Sequence, residues 1–212
     1  LFINGIPIVM IELKNSLTNQ THLNAIKQWQ YDRDPKEPLF RFKRNLVYLA
    51  VGNEKVSMAT RLSGGNTKFL PYNKGIENPI NSNGHKTAYL WEHILQLNNA
   101  LELIESFVHI RVETEKVFDA KLGKIKEKKS EILIFPRFHQ LNVIQRLKEA
   151  VVTEDVGHNY LIQHTTGSGK SLSIGWLAHL LTSLYRTTTD TKRMFDTIIV
   201  ITDRRILDRQ IR

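Results

Sequence analysis

The sequence contains no cysteine, which excludes disulfide bonds and thiolate metal sites. Long hydrophobic runs are missing as well, because no apolar stretch reaches the roughly 18 residues that a membrane-spanning helix needs. Acidic residues are few, since 21 Asp and Glu stand against 30 Lys and Arg, and the net charge is +9. This excess suits a nucleic-acid partner, although it is also a common means of solubility. With 41% hydrophobic residues, the 212-residue chain can form one large domain or two small ones.

A glycine-interrupted turn between a predicted strand and a predicted helix is the strongest motif. Residues 160–162 are a short apolar run, and an apolar-periodic helix is predicted from Lys170 to about Leu184. Gly167 and Gly169 let the backbone curl so that its N–H groups point inward at the helix N-terminus, which favours phosphate binding.

Lys170 and Ser171 complete this predicted phosphate-binding loop. The lysine would reach the β- and γ-phosphates of a nucleotide, and the serine hydroxyl would bind Mg²⁺. The loop has His164 where the usual pattern has glycine. A solvated Gly/Ser turn before a helix is the alternative interpretation.

The N-terminal segment predicts a β-hairpin. Asn4-Gly5 is typical of a type I′ turn, and residues 1–3 and 6–14 on either side are predicted strands. The chain begins at Leu1 rather than methionine, inside a predicted strand, so we expect it to be a fragment of a longer protein.

Two charges end the second predicted strand. Since strand side chains alternate, Glu12 and Lys14 lie on one face. A carboxylate and an ammonium group placed together can hold a divalent metal and orient its water. A structural ion pair is an equally supported interpretation of the spacing.

The next segments complete a small α/β layer. A helix is predicted over residues 20–31, and strands are predicted over 46–51 and 56–61. Gln28 on this helix is placed to approach Glu12 and Lys14, although an exposed glutamine is the commoner case. Helical segments are also predicted over 88–97 and 100–109.

A lysine-rich run follows, over residues 121–134, and we interpret it as a linker between two domains. Its lysines would either contact DNA phosphates or remain solvated, the second being more common. The predicted organisation is therefore a first domain over 1–120, this basic linker, and a second domain over 135–212.

The second predicted domain has a helix with Leu141 and Ile144 on one face, then the phosphate loop and its helix. A fully apolar strand over residues 197–202 and a helix over 206–211 follow, which together predict a βαβ unit.

Several segments carry a resemblance to a known family. INGIPIVMIELKNS, AIKQWQYDRDPKEPLF and VSMATRL resemble the N-terminal nuclease domain of the restriction (motor) subunit of type I restriction-modification enzymes. ITDRRILDRQ, together with the phosphate loop, is similar to the first motor lobe of superfamily 2 helicases and translocases.

The resemblance implies an α/β fold class with a PD-(D/E)xK nuclease-like domain, followed by the first part of a RecA-like P-loop motor domain. It makes Glu12 a metal ligand, Lys14 the residue that positions the nucleophilic water, and Gln28 a supporting residue. It places the family's first metal-binding aspartate before Leu1 and the acidic Walker B segment after Arg212. The implied cofactors are ATP and Mg²⁺. The implied nucleotide-site residues are Arg137, Gln140 as the adenine reader, Thr166, Gly167, Ser168, Gly169, Lys170 and Ser171, the last a Mg²⁺ ligand.

The implied function is ATP-driven translocation on double-stranded DNA and its Mg²⁺-dependent cleavage. The implied partners are DNA and the modification (methyltransferase) and specificity subunits, in the cytoplasm of a bacterium or archaeon. One alternative is a non-cleaving nucleotide- and DNA-binding module in which Glu12 and Lys14 are structural. A stand-alone P-loop ATPase or kinase is less well supported, because it leaves Glu12 and Lys14 unexplained.

Overall fold

The computed structural model describes residues 1–119, 123–187 and 189–202, and its first element is the predicted hairpin. Strands β1 (Phe2–Ile3) and β2 (Ile6–Pro7) are antiparallel. Asn4 and Gly5 have φ angles of 49° and 77°, as a type I′ turn requires. The single strand predicted over 6–14 is divided, because β3 (Val9–Leu13) pairs in a different sheet.

A four-stranded sheet forms the centre of the N-terminal part of the chain, in the order β3-β4-β5-β6. Strand β4 (Val47–Val51) runs parallel to β3, and β5 (Val56–Ala59) and β6 (Leu70–Pro71) add antiparallel. Every residue of β4 and β5 is buried, as expected for apolar strands covered on both faces.

Helix α1 (His22–Tyr31) is the connection between the parallel strands β3 and β4, and it packs on one face of the sheet. Thr21 is its N-cap and accepts a hydrogen bond from the Leu23 N–H. Ala25 and Trp29 are its buried residues, and the Trp29 ring makes an edge contact with Tyr48 at a centroid distance of 5.3 Å. The helix predicted over 20–31 is confirmed.

Helix α2 (Leu97–Ser106) follows a π-helical turn at Leu90–Ile94. The helices predicted over 88–97 and 100–109 are therefore shifted, since Gln96 is extended between the two segments. Residues Leu90, Ile94 and Leu103 are buried.

A long two-stranded ribbon replaces the expected linker. Strands β7 (His109–Asp119) and β8 (Lys124–Ile134) are antiparallel over 11 residues each, and β8 covers most of the lysine-rich run. Opposite charges lie in register, with Glu115 facing Lys128 and Lys116 facing Glu127. The acidic residues of β7 thus stabilise β8 as a strand, although its lysine-rich sequence is typical of a solvated linker. Lys121 lies outside the described residues.

The chain divides into two compact units, Leu1–Phe135 and Pro136–Arg212. The second unit contains α3 (Phe138–Glu154) and α4 (Lys170–Thr182), which confirms both predicted helices. Among the described residues no helix is long and apolar enough to span a membrane.

The strands predicted over 160–162 and 197–202 are not formed in the described part of the second unit. Leu161 and Ile201 are 96% and 90% exposed. A parallel strand is stable only beside a neighbour that pairs with its backbone groups, and the described residues of this unit provide none. The helix predicted over 206–211 lies outside the described residues.

Gly52 provides a test of how closely α1 approaches the sheet. A Cβ atom on Gly52 would lie 2.8 Å from the backbone nitrogen of His22, so the start of α1 would have to move. We expect Gly52→Ala to lower the free energy of unfolding by about 1–3 kcal/mol, measured by urea denaturation. Gly84→Ala is the matched control, because the nearest atom to its Cβ would be 3.4 Å away. Equal stability of the two variants would contradict this close approach.

Candidate functional site

The end of β3 carries the first candidate site. Glu12 and Lys14 project from the same face of the strand, and Lys14 Nζ lies 3.3 Å from Glu12 Oε1. The backbone N–H of Lys14 donates to the Val51 carbonyl at 2.9 Å, which continues the parallel pairing past Leu13. Both side chains are largely buried, with 17% of Glu12 and 15% of Lys14 exposed. The predicted proximity of the two charges is thus present in the structure.

Gln28 is the third member of the site. Its Oε1 accepts a hydrogen bond of 2.5 Å from Lys14 Nζ. Helix α1 fixes this position because Trp29, the next residue, is anchored to the sheet by a hydrogen bond from its Nε1 to the Leu49 carbonyl at 3.1 Å. The structure therefore brings together the three residues that the sequence singled out on these elements.

Arg33 is a fourth member that the sequence reasoning missed. One guanidinium nitrogen, Nη2, lies 3.3 Å from Glu12 Oε2, so the two oxygens of this carboxylate contact two different cations. Arg33 lies just past the end of α1, and its long side chain reaches back to β3. Its position in a highly charged loop gave no periodic signal, and only its nearness in sequence to Gln28 could have drawn attention to it.

The chemistry of this set fits a divalent cation bound with a substrate. Within the described part of the chain, no group of three or more His, Cys, Asp or Glu side chains could hold a metal alone. Mg²⁺ is commonly held by one or two carboxylates, together with waters and substrate phosphates. Glu12 supplies one such carboxylate, and Lys14 and Arg33 supply the positive charge that an incoming phosphate needs.

The phosphate loop is the second candidate site. Gly167 and Gly169 have φ angles of 76° and 84°, in the left-handed region that glycine adopts most easily, and Gly169 is the N-cap of α4. Lys170 Nζ donates to the carbonyls of His164 and Thr165 at 3.0 and 2.9 Å. The Lys170 side chain therefore folds back to the residues at the start of the loop, 5 to 6 positions earlier in the chain.

The start of α3 holds this loop from one side. Gln140 Nε2 donates to the Gly169 carbonyl at 3.0 Å, and Gln140 Oε1 accepts from the backbone N–H of Arg137 at 2.9 Å. A Cβ atom on Gly169 would clash with the Gln140 amide nitrogen, so this position is restricted to glycine by space as well as by φ.

His139 makes a second contact from α3 to the loop. Its Nε2 lies 2.9 Å from the Ser168 carbonyl, and because a carbonyl only accepts, this nitrogen carries the proton. Burial lowers the pKa of His139, which favours the neutral ring. The His139 ring also contacts His164 edge-on, at a centroid distance of 5.1 Å. Residue 164, where the usual loop pattern has glycine, thus has a packing partner.

The predicted adenine reader is placed beside the loop but is already engaged. Gln140 is 2% exposed, and its amide uses one donor and one acceptor within the protein, which leaves one N–H and one lone pair. Its role toward adenine, and that of Arg137, stay predictions. The buried Ser168 Oγ has no hydrogen-bond partner among the described residues, as expected of a loop that is shaped to receive a polar ligand.

Two family models match the chain. Residues 1–67 match the type I restriction enzyme R protein N terminus, and residues 139–212 match the SWI2/SNF2 ATPase family. The first match contains Glu12, Lys14, Gln28 and Arg33, and the second contains the phosphate loop. No solved structure gives a significant match.

Curated relatives match over most of the chain. The type I restriction enzyme HindI endonuclease subunit of Haemophilus influenzae is 27% identical over 216 residues, which cover 99% of this chain and 19% of that protein. A Methanocaldococcus jannaschii protein, provisionally named type I restriction enzyme MjaVIIP endonuclease subunit, is 24% identical over 201 residues, 87% of this chain and 16% of its own length. The chain thus spans less than a fifth of these relatives. The resemblance of this chain to the N-terminal region of a type I restriction enzyme R subunit is confirmed.

Proposed function

We propose that this chain is the nuclease region and the start of the ATP-driven motor of a type I restriction endonuclease subunit, which cleaves double-stranded DNA with Mg²⁺. The contact of Lys14 with both Glu12 and Gln28 is the observation that carries the proposal. The names of the relatives and the matched R protein N terminus support it. The methyltransferase and specificity subunits of such a complex are the proposed protein partners.

Each residue of the first site has a role in this proposal. Glu12 would hold Mg²⁺ through its carboxylate, whose two oxygens contact Lys14 and Arg33. An ion held there by Glu12 would supply Lewis acidity to the scissile phosphate and activate water. Lys14 would orient the attacking water and stabilise the negative charge that develops on the phosphate. Gln28 fixes the direction of the Lys14 side chain.

The phosphate loop has the roles of an ATP site in this proposal. The backbone from Thr166 to Gly169 would surround the phosphates, Lys170 would exchange its two carbonyl contacts for the β- and γ-phosphates, and Ser171 would bind Mg²⁺. The match to the SWI2/SNF2 ATPase family supports this assignment.

One observation favours the alternative of a non-cleaving DNA- and nucleotide-binding module. Glu12 contacts two cations within the protein, which is also what a purely structural ion network would show. The two functions differ in what the loss of Lys14 does to DNA cleavage.

Lys14→Ala tests the nuclease assignment. In the full-length protein we expect Mg²⁺-dependent plasmid cleavage to fall about 10²-fold or more, because a charge that stabilises the transition state is removed. ATP hydrolysis, measured by phosphate release, should be unchanged.

Lys27→Ala, on the exposed side of the same helix as Gln28, is the control and should cleave normally. Cleavage at the parental rate by Lys14→Ala would contradict the nuclease assignment and favour the non-cleaving module.

Lys170→Ala tests the nucleotide site. Its loss removes the cation expected to contact the β- and γ-phosphates, so ATP hydrolysis should fall about 10²-fold or more. Phosphate release by the full-length protein is the measurement, with the exposed Lys192→Ala in the same unit as control. Unchanged hydrolysis in Lys170→Ala would show that the loop does not serve ATP turnover.

A further inference from the structure

The loop between α1 and β4, residues 33–44, is the most basic exposed segment near the first site, and we refer to it as the basic loop. It contains five cationic residues and two acidic ones. The cations are Arg33, Lys36, Arg41, Lys43 and Arg44, and the carboxylates are Asp34 and Glu37. The excess of three positive charges within 12 residues is large beside the net charge of +9 on the whole chain.

The backbone of the basic loop is held firmly to the core. Phe40 is buried and contacts the Trp29 ring edge-on at 5.9 Å between centroids. The Tyr48 hydroxyl donates to the Phe40 carbonyl at 3.1 Å, and Asn45 Nδ2 donates to the Leu39 carbonyl at 2.5 Å. A fixed backbone therefore presents the cationic side chains, which reduces the entropy lost when they bind a ligand.

The exposed surface of the loop forms a shallow cavity of about 590 Å³, lined by residues Pro38, Leu39, Arg41, Phe42, Lys43 and Arg44. Arg61, two residues after the end of β5, lies over the Phe42 ring at 4.8 Å from its centroid, and Lys43 Nζ lies 5.9 Å from that centroid. The aromatic ring gathers two cations at the cavity. Because both already contact the ring, Phe42 is better suited to position cations than to stack on a base.

Few carboxylates balance these charges. Lys43 pairs with Glu131 at 2.6 Å, whereas Arg41, Arg44 and Arg61 form no ion pair among the described residues. All three arginines are exposed. Like charges held together repel one another, and an anion bound among them would relieve that repulsion. Guanidinium groups also match phosphate geometry through paired N–H donors.

In the lysine-rich ribbon of β7 and β8, by contrast, acidic residues lie opposite some of the basic ones. Along β7 and β8, Glu115 lies opposite Lys128 and Lys116 lies opposite Glu127, so acidic and basic residues alternate across the ribbon. The segment that is most basic in sequence is thus largely balanced in the fold, whereas the basic loop is not.

The basic loop is also continuous with the first site. Arg33, its first residue, contacts Glu12, and the remaining cations follow within 11 residues of chain. A polyanion that reaches Glu12 and Lys14 therefore has further cations available on the same loop.

We propose that the basic loop and Arg61 bind the sugar-phosphate backbone of duplex DNA, without reading its sequence, and hold it against the site formed by Glu12 and Lys14. The proposal rests on the nuclease function proposed above. Backbone contacts position a duplex but carry no sequence information, which agrees with a surface whose one aromatic ring is covered by cations.

The experiment is fluorescence anisotropy of a labelled 30-base-pair duplex with the whole chain, in EDTA so that no cleavage occurs, over a series of salt concentrations. The test variant is the triple substitution Arg41→Ala, Arg44→Ala and Arg61→Ala. We expect weaker binding, and a slope of log K against log salt that is flatter by about 3, roughly one unit for each phosphate that the variant no longer neutralises.

The matched control is Lys124→Ala, Lys128→Ala and Lys129→Ala, which removes the same charge from the ribbon of the same unit. It should bind with the parental slope. Because Arg61 packs on Phe42, the triple variant Arg41→Lys, Arg44→Lys and Arg61→Lys is also needed, and it should keep the parental slope.

Three results with the variants would each overturn the inference. They are an unchanged slope in the arginine-to-alanine variant, an equal or larger loss of binding in the ribbon variant, or a loss of binding in the lysine variant as large as in the alanine variant. Failure of the parent chain to bind the duplex would also overturn this inference, whereas the nuclease proposal is decided by the cleavage activity of Lys14→Ala. Normal cleavage by Lys14→Ala together with a flattened slope in the arginine variant would remove only the nuclease proposal.

Discussion

The packing of Trp29 against the central strand β4 is the contact on which the first site depends. Its indole N–H donates to the Leu49 carbonyl, and its ring lies edge-on to Tyr48 and Phe40 in the core. These contacts fix both the rotation of α1 and its position along the sheet. Gln28, one residue earlier, is thereby directed at Lys14, whose own position is set by the parallel register of β3 on β4.

The same fixed elements determine where the charges lie. Arg33 follows the end of α1 and reaches Glu12, and the basic loop is tied to the core through Phe40, Asn45 and Tyr48. Around one largely buried carboxylate, that of Glu12, the fold thus gathers Lys14 and Arg33, with further cations on the adjoining loop. That distribution suits a polyanionic substrate better than a neutral one.

The second unit is organised around a different constraint, the close approach of α3 to the phosphate loop. Gln140 and His139 both donate to loop carbonyls, at Gly169 and Ser168. These contacts hold the loop in a curled conformation at the N-terminus of α4, a geometry that suits a phosphate group. The cost is that Gln140 has only half of its hydrogen-bonding capacity left for a base.

Much of this could be predicted from sequence, because the signals are local. Asn4-Gly5 specifies its turn, Gly167 and Gly169 specify the curled loop, and the two-residue spacing places Glu12 and Lys14 on one face. The Arg33 contact could not be predicted, since a flexible side chain in a charged loop has no periodicity.

Non-local pairing explains the other differences. The strand β8 depends on acidic residues some 10 to 20 positions earlier in β7, which the run of lysines does not reveal. Residues 160–162 have the composition of a buried strand, yet a strand needs a neighbour, which their sequence cannot provide. Turns and helices, which depend on nearby residues, were therefore predicted better than strands, which depend on a pairing partner elsewhere in the chain.

The proposed role of Glu12 is to hold a divalent metal ion at the end of β3. Electron paramagnetic resonance can test this role by titration of Mn²⁺ into the whole chain with duplex DNA and without nucleotide, comparing the parent with Glu12→Gln and Ser171→Ala. We expect a bound Mn²⁺ in the parent and in Ser171→Ala that is absent in Glu12→Gln, because a neutral amide is a much weaker ligand for a hard cation. Equal Mn²⁺ binding by the parent and Glu12→Gln would contradict it.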